Sequence, residues 1–248
     1  MNTAVFHDRD AWLSLLEELF DPPTCERLDD VGVGPGWEAL EVGAGRGSIA
    51  AWLAERVGPE GRVVATDVDT TLLEQRAAAG VEILRHDVLA DDFSPASFDL
   101  VHCRALLVHV RDPERALARM AAWLKPGGVL VAEEPWTDVA RLAPDATAAR
   151  AAAALADIDG AFARRLPQAL RDAGLERVRA DARLAFFEGG SREAAFFRRV
   201  LEGAAVSLVA TGDLGADEVR EMKARFDDPT FLDCGWPRIG AVGWKADG

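Results

Sequence analysis

Three closely spaced glycines that follow an apolar run form the first candidate for a chemical site in this sequence. The stretch Ala39–Ser48 reads ALEVGAGRGS, with Gly43, Gly45 and Gly47 at alternate positions. Glycine lets a turning backbone approach a ligand closely, and the free N–H groups at the start of a following helix attract anionic groups. The segment therefore predicts a strand, a tight turn and a helix over Ser48–Arg56 that together hold a nucleotide cofactor.

The spacing of these glycines distinguishes two kinds of nucleotide cofactor. A dinucleotide fingerprint requires G-x-G-x-x-G, whereas the third glycine here is Gly47, followed by serine. With Glu41 two residues before Gly43, the pattern resembles the E/D-x-G-x-G-x-G motif of class I S-adenosylmethionine (SAM) dependent methyltransferases. The resemblance implies that Glu41 supports the amino group of SAM and that Gly43, Ala44 and Gly45 lie beside its methionine part.

An acidic residue at the end of the next predicted strand extends the resemblance, which a glycine-rich turn alone would not establish. The β-branched run GRVVATD ends in Asp67, 24 residues after the first glycine of the motif. At about this spacing a carboxylate accepts hydrogen bonds from a ribose. A helix N-cap is the alternative role for Asp67, although Asp69 and Thr70 already offer caps. The resemblance assigns the neighbouring Val68 to the same cofactor site.

Asp87 and Val88 follow a third short strand, which we expect at Val81–Leu84. In the methyltransferase family, an acidic residue with an apolar neighbour at this place in the chain holds the adenine of SAM. The resemblance therefore assigns Asp87 to the adenine amino group and Val88 to the adenine ring.

Two further motifs agree with the family in their order along the chain. FDLVHC predicts a fourth strand at Phe98–Cys103, and LKPGG stops the next helix before a fifth strand at Val129–Glu133. LKPGG recurs at this place in the family, and the end of strand four supplies main-chain contacts to the methionine part of SAM, which implicates Cys103 and Arg104. The agreement of separated motifs identifies the chain as a member of the class I SAM-dependent methyltransferases, similar to bacterial small-molecule enzymes of the ubiquinone and menaquinone type.

The alternation of predicted strands and helices indicates an α/β fold. The resemblance implies a Rossmann-like sheet of seven strands in the order 3-2-1-4-5-7-6, with the last strand antiparallel and helices on both faces. A long strand is expected at Leu175–Phe187 and the last one at Arg238–Trp244. Helices are expected after Asp8 or Asp10, at Thr24–Asp30, and over 70–79, 112–124, 145–165, 191–209 and 216–226.

One structural domain with three parts is expected from this order of elements. Residues 1–36 form a helical cap, 37–135 form the SAM-binding core, and 136–248 complete the sheet and add lid helices over about 191–228.

His109 is the candidate catalytic base, because an imidazole titrates near neutral pH. A phenol, a carboxylic acid or an activated carbon needs a base before methyl transfer, whereas a neutral amine can lose its proton afterwards. A structural role for His109 is the alternative. The candidates for contact with the molecule that accepts the methyl group are Phe6, His7, Trp12 and Trp136. For Trp12 the alternative is simple packing on the sheet.

The composition excludes several classes of partner. The 248-residue chain carries a net charge of −14, which disfavours unaided binding to a nucleic-acid backbone. Its three cysteines lack C-x-x-C spacing, and strand four ends in His-Cys-Arg, so neither a disulfide framework nor a metal site is expected. A secretory leader and a long apolar run are both lacking, which predicts a cytoplasmic protein without a membrane span. A monomer or a homodimer is expected.

These observations together predict an enzyme that methylates an O, N or C atom of a small metabolite and releases S-adenosylhomocysteine. Bacterial secondary or quinone-like metabolism is the expected setting. Two alternatives stay open. One is a protein methyltransferase, because the lack of N-P-P-Y, D-P-P-Y and Pro-Cys motifs excludes only the common DNA base types. The other is a SAM-binding fold used for a cyclisation, an isomerisation or a non-enzymatic role.

Overall fold

The structure, a computed structural model, describes residues 9–137 and 161–248. Phe6, His7 and most of the helix expected over 145–165 lie outside these residues. The described helices are α1 (Arg9–Asp30), α2 (Ser48–Val57), α3 (Thr71–Gln75), α4 (Pro113–Trp123), α5 (Phe162–Asp172), α6 (Arg192–Thr211) and α7 (Ala216–Asp227), with a 3-10 turn at Leu107–His109. The strands are β1 (Glu38–Val42), β2 (Arg62–Asp67), β3 (Val81–Arg85), β4 (Phe98–Arg104), β5 (Leu124–Pro135), β6 (Glu176–Arg183), β7 (Phe186–Glu188), β8 (Leu232–Cys234) and β9 (Arg238–Trp244).

Seven of these strands form one sheet in the order β3-β2-β1-β4-β5-β9-β6. β1 pairs in parallel with β2 and β4, whereas β9 is antiparallel to both β5 and β6. The strands from β1 to β5 are parallel, and the crossovers through α2, α3 and α4 place helices on the faces of the sheet. The predicted Rossmann-like α/β fold, including its strand order and antiparallel last strand, is confirmed.

An apolar core covers each face of the sheet. Neighbouring residues of β4 point to opposite faces, so that Val101 packs with Trp123 of α4 while Leu100 packs with Leu53 of α2. The end of α1 contributes Leu28 to the second core, where it is fully buried. The end of α1 is therefore held against the same sheet face as α2.

The N-terminal segment forms one helix rather than the two that we expected. Pro22 and Pro23 lie inside α1, although each lacks the N–H that an intrahelical hydrogen bond needs. Packing on both sides of the prolines explains the continuity. Leu16 is buried against α6 before them, and Leu28 is buried against the sheet after them.

Two other elements are shorter than their sequence patterns suggested. The helix expected over 70–79 ends at Gln75, and its one buried side chain is Leu73. The strand expected over 175–187 breaks after Arg183, which pairs with Arg238, the first residue of β9. Beyond that pair the large sheet has no partner strand, so β7 pairs with β8 in a separate two-stranded sheet.

The expected lid helices, α6 and α7, form a further apolar cluster in addition to the two cores of the main sheet. α6 begins at its N-cap Ser191, whose Oγ accepts the Ala194 N–H at 3.1 Å. Phe196 and Val200 of α6 are buried against α1.

No helix of the described residues is both long and apolar enough to cross a membrane.

Candidate active site

A cavity of about 500 Å³ opens at the carboxyl ends of β1, β2 and β4, beneath the N-terminal half of α1. These strands lie at the point where the order of the sheet reverses, with β2 and β4 on either side of β1. Parallel α/β sheets bind ligands at such a switch point. The volume is in the range of cofactor and small-molecule sites.

The glycine-rich turn forms part of the cavity wall and needs all three of its glycines. Gly43, Gly45 and Gly47 have φ angles of 75°, 59° and 90°, a region that residues with a Cβ rarely adopt. A Cβ on Gly43 would lie 2.9 Å from Cδ1 of Leu106, and one on Gly47 would lie 2.6 Å from Cδ1 of Leu73. The turn therefore packs closely on its neighbours while its backbone stays next to the cavity.

Asp67 ends β2 at the cavity wall. Its carboxylate accepts hydrogen bonds from the N–H of Gly45 at 3.0 Å and from the N–H of Asp69 at 3.1 Å. Arg9 approaches the same carboxylate, with Nη2 3.9 Å from Oδ1. Thr70 occupies the N-cap position of α3, so Asp67 does not cap that helix and its carboxylate remains beside the glycine-rich turn.

Glu41 lines the cavity from β1 and pairs with a buried histidine on β4. Glu41 and His102 are in register, and Nδ1 of His102 lies 2.5 Å from Oε2 of Glu41. Burial lowers the pKa of His102, but the carboxylates of Glu41 and Glu133 outweigh this effect and raise it to about 9. The imidazole is therefore protonated at neutral pH, which makes the contact a charge-assisted hydrogen bond.

Ion pairs hold α1 over the cavity. Arg46, from the glycine-rich turn, contacts Asp10 at 3.2 Å and Glu17 at 3.3 Å. Arg104, at the end of β4, donates to Asp21 at 2.8 Å and to Thr24 at 3.0 Å. Both arginines line the cavity and bridge the sheet edge to α1, so the position of this helix is coupled to the cavity walls.

The turn after β4 forms another wall and is held by a buried carboxyl group. Ala105 has a φ of 50°, an uncommon value for a residue other than glycine. Oε1 of Glu134 accepts the N–H groups of Leu106 at 3.0 Å and of Leu107 at 2.7 Å. Burial raises the pKa of Glu134 to about 8, although these N–H donors act in the opposite direction. Glu134 thereby fixes the wall that carries Leu106 and His109.

His109 lies at the end of that wall, in the 3-10 turn, and lines the cavity. Its main-chain N–H donates to the carbonyl of Leu106 at 2.9 Å. Desolvation lowers the pKa of His109 below the ordinary 6.5, so its imidazole is neutral at pH 7. A neutral imidazole has a ring nitrogen that can accept a proton.

Most residues predicted to bind a cofactor meet at this cavity. The lining includes Glu41, Gly43, Ala44, Gly45, Asp67, Val68, Asp87, Val88 and Arg104, together with the acceptor candidate Trp12.

Two predicted site residues are not part of the lining. The side chain of Cys103 is fully buried in the core on the α4 side, where burial raises the pKa of its thiol. Trp136 follows β5, donates its main-chain N–H to the carbonyl of Pro237 at 2.8 Å, and lies under the guanidinium of Arg164 at 5.3 Å. Neither side chain reaches the cavity.

Several lining residues were not predicted from the sequence. Arg9 and Glu17 of α1, Arg46 of the glycine-rich turn, and His86 at the end of β3 all face the cavity. The position of Arg46 could have been used, because a long, positively charged side chain between two glycines of a cofactor-binding turn can reach a neighbouring element. The other three depend on how α1 and β3 pack, which no local pattern reveals. Among the described residues, no group of three His, Cys, Asp or Glu side chains is gathered for a metal ion.

Comparison with known proteins agrees with this geometry. A family model described as a methyltransferase domain matches residues 40–132. Nocamycin O-methyltransferase of Saccharothrix syringae is 36% identical over 118 residues, which are 45% of this chain and 42% of that protein. A ubiquinone/menaquinone biosynthesis C-methyltransferase of Idiomarina loihiensis is 33% identical over 115 residues, 43% of this chain and 46% of that protein. The chain thus spans less than half the length of these curated relatives.

A solved structure covers more of the chain at lower identity. Phosphoethanolamine N-methyltransferase 2 of Haemonchus contortus, in complex with phosphomonomethylethanolamine and S-adenosylhomocysteine, matches with a TM-score of 0.55 and 16% identity. The match covers 96% of this chain and 53% of that one. At this identity the likeness shows a shared fold. The segment matched by the family model runs from β1 to β5 and contains the glycine-rich turn, Asp67 and His109.

Proposed function

We propose that this protein is an enzyme that transfers the methyl group of SAM to a small organic acceptor, because a family model described as a methyltransferase domain matches residues 40–132. S-adenosylhomocysteine is then the second product. The observation that carries the proposal is the convergence of Glu41, the glycine-rich turn, Asp67 and Asp87 on one cavity at the switch point of the sheet.

The side chains around the cavity suit the separate parts of SAM. The carboxylate of Glu41 is placed to receive the ammonium group, and the guanidinium of Arg104 suits the carboxylate of the methionine part. Asp67 is an acceptor for the ribose hydroxyls, and Asp87 is an acceptor for the adenine amino group. When bound, SAM supplies an electrophilic methyl group on a sulfonium. The chain must then position the acceptor and exclude water.

The acceptor is proposed to be a small molecule with an apolar part. Trp12, Leu13 and Leu16 of α1 line the cavity together with Leu106 and contribute apolar surface to it. Such surface favours an apolar ligand and displaces water that would compete for the methyl group. The ion pairs that hold α1 over the cavity favour an acceptor that enters it whole, which supports a metabolite over a protein side chain.

The names of the curated relatives suggest the type of acceptor atom and the metabolic setting. The curated relatives are named as an O-methyltransferase and a C-methyltransferase. These names support a role in secondary or quinone-like metabolism, and they are compatible with an acceptor that must lose a proton. We assign the removal of that proton to His109, because its neutral imidazole lines the cavity next to Leu106. A cytoplasmic location and a division into cap, core and lid remain part of the same proposal.

Calorimetric titration with SAM, and separately with NAD, tests the cofactor first. SAM binding without NAD binding is expected, and NAD binding alone would contradict the assignment. The second step incubates the protein with SAM and a panel of phenols, carboxylic acids, quinols and amines, and measures S-adenosylhomocysteine. Formation that depends on one small acceptor supports the proposal. SAM binding with rearrangement of an acceptor and no S-adenosylhomocysteine would favour a cyclase or an isomerase instead.

A further inference from the structure

The carboxylate of Glu41 is held from the side away from the cavity by a residue that does not itself line the cavity. His102 is fully buried, whereas Glu41 lines the cavity, so the histidine lies behind the carboxylate. The 2.5 Å contact between Nδ1 and Oε2 engages one of the two carboxylate oxygens. Among the described residues, His102 is the one hydrogen-bond partner of this carboxylate.

His102 is itself part of a row of alternating charges that is buried as far as Arg27 and ends at the exposed Asp181. Its Nε2 lies 3.9 Å from Oε1 of Glu133, and the same oxygen lies 3.5 Å from Nε of Arg27. Arg27 makes two hydrogen bonds to Asp181, at 2.5 and 2.9 Å. The row therefore runs from β1 through β4 and β5 to α1 and β6, and it places the carboxylate of Glu133 on the side of His102 opposite to Glu41.

We propose that His102 is a positioning residue, which holds the Glu41 carboxylate in the orientation that receives the ammonium group of the methionine part of the cofactor. The inference rests on the proposed function. A glutamate at a cavity wall has several side-chain rotamers, and binding must restrict them at an entropic cost. Because His102 already restricts Glu41, this cost is met when the chain folds, and the second oxygen remains for the ligand.

A purely structural role for the pair is less consistent with its surroundings. Leu100, two residues earlier on β4, shares the sheet face of His102 and is fully buried, as is Val131, the register partner of His102 on β5. An aliphatic residue would fill such a place at a lower desolvation cost than an ion pair. The charged pair instead occurs where β1 and β4 reach the cavity.

The test compares two ligands that differ in the group that Glu41 receives. S-adenosylhomocysteine carries the amino-acid part, whereas 5′-methylthioadenosine lacks it and keeps the adenosine. Affinities are measured by calorimetry for the wild type, His102→Leu and His102→Asn. Leucine removes the donor, whereas the asparagine amide keeps an N–H group near the place of Nδ1.

We expect His102→Leu to weaken S-adenosylhomocysteine binding by about tenfold or more, the effect of losing a charged hydrogen bond. The affinity for 5′-methylthioadenosine should stay within about twofold. His102→Asn should retain more of the preference for S-adenosylhomocysteine. If the leucine variant does not fold, His102→Val replaces it, because a β-branched residue suits a strand.

Met120→Ala is the matched control, because Met120 is equally buried but packs on the opposite face of the sheet. It should lower the melting temperature without changing the ratio of the two affinities. An unchanged ratio in the apolar His102 variants would overturn the inference, and so would an equal loss of both ligands. Failure of the wild type to bind either ligand would instead overturn the proposed function, and the inference with it.

Discussion

The guanidinium of Arg27 occupies the place where a side chain on Gly240 would lie. A Cβ built on Gly240 would be 2.2 Å from Cζ of Arg27, closer than any real contact. Gly240 pairs with Glu133 on β5 and with Asp181 on β6, the two carboxylates that Arg27 contacts. Because Gly240 has no side chain, Arg27 of α1 can pass over β9 and reach the carboxylates on both neighbouring strands.

Gly240→Ala should therefore displace Arg27 and destabilise the fold. We expect a loss of about 1–3 kcal/mol in the free energy of unfolding, typical of an overpacked site that also disturbs a buried ion pair. Chemical denaturation measures it. Gly34→Ala is the control, because a Cβ there would meet no atom closer than 3.6 Å. Equal stability of the two variants would contradict the role given to Gly240.

Asp67→Ala should weaken SAM binding by about 10–100-fold, because it removes a charged acceptor placed for the ribose hydroxyls. The variant also frees the Gly45 N–H, so Asp67→Asn, which keeps one acceptor oxygen, should lose less affinity. Glu82→Ala serves as the control, since Glu82 pairs with Arg62 on the exposed surface of β3. Unchanged SAM affinity of Asp67→Ala by calorimetry would contradict the assignment.

The parts of the fold that were predictable are those with a local signal. The glycine-rich turn and the β-branched run that ends in Asp67 each reveal their structure within a few residues. The alternation of side chains along β4 is also readable from the sequence. In the segment VHCR, Val101 and Cys103 lie on one face of the strand, and His102 and Arg104 lie on the other. Applied strictly, this period of two would have directed attention from Cys103 to His102.

The parts that were not predictable depend on contacts between distant positions. The pairing of His102 with Glu41 joins residues 61 positions apart, and no spacing rule connects them. The continuity of α1 through Pro22 and Pro23 is decided by packing on α6 and on the sheet rather than by helix propensity. Tertiary contacts therefore override the local signal at both places.

His109→Ala should lower turnover by about 100-fold or more while SAM affinity stays nearly constant, as expected for loss of a general base outside the cofactor contacts. The pH profile gives an independent check. The base must be neutral, and its pKa lies below 6.5, so the rate should rise with pH in the acid range and level off by about pH 7.

Arg115→Ala is the comparison variant for His109, because Arg115 is exposed on α4 and does not line the cavity. Its turnover and pH profile should match those of the wild type. Near-normal turnover of His109→Ala with an acceptor that requires deprotonation would give His109 a structural role instead.

Glu134→Gln should change how stability depends on pH. The pKa of Glu134 is about 8 in the folded protein and near 4.5 when the chain is unfolded, so the folded state binds the proton more tightly. The contribution of this group to stability is fully present below about pH 4.5. It is lost as pH rises from there towards 8, because the carboxyl of the unfolded chain ionises over this range while the buried carboxyl keeps its proton. Glutamine keeps a carbonyl oxygen for the N–H groups of Leu106 and Leu107 but cannot ionise. Between pH 5 and pH 8.5 the melting temperature of the wild type should therefore fall relative to that of the variant, by at least about 2 °C. Parallel melting curves over this range would show that the Glu134 carboxyl does not titrate there.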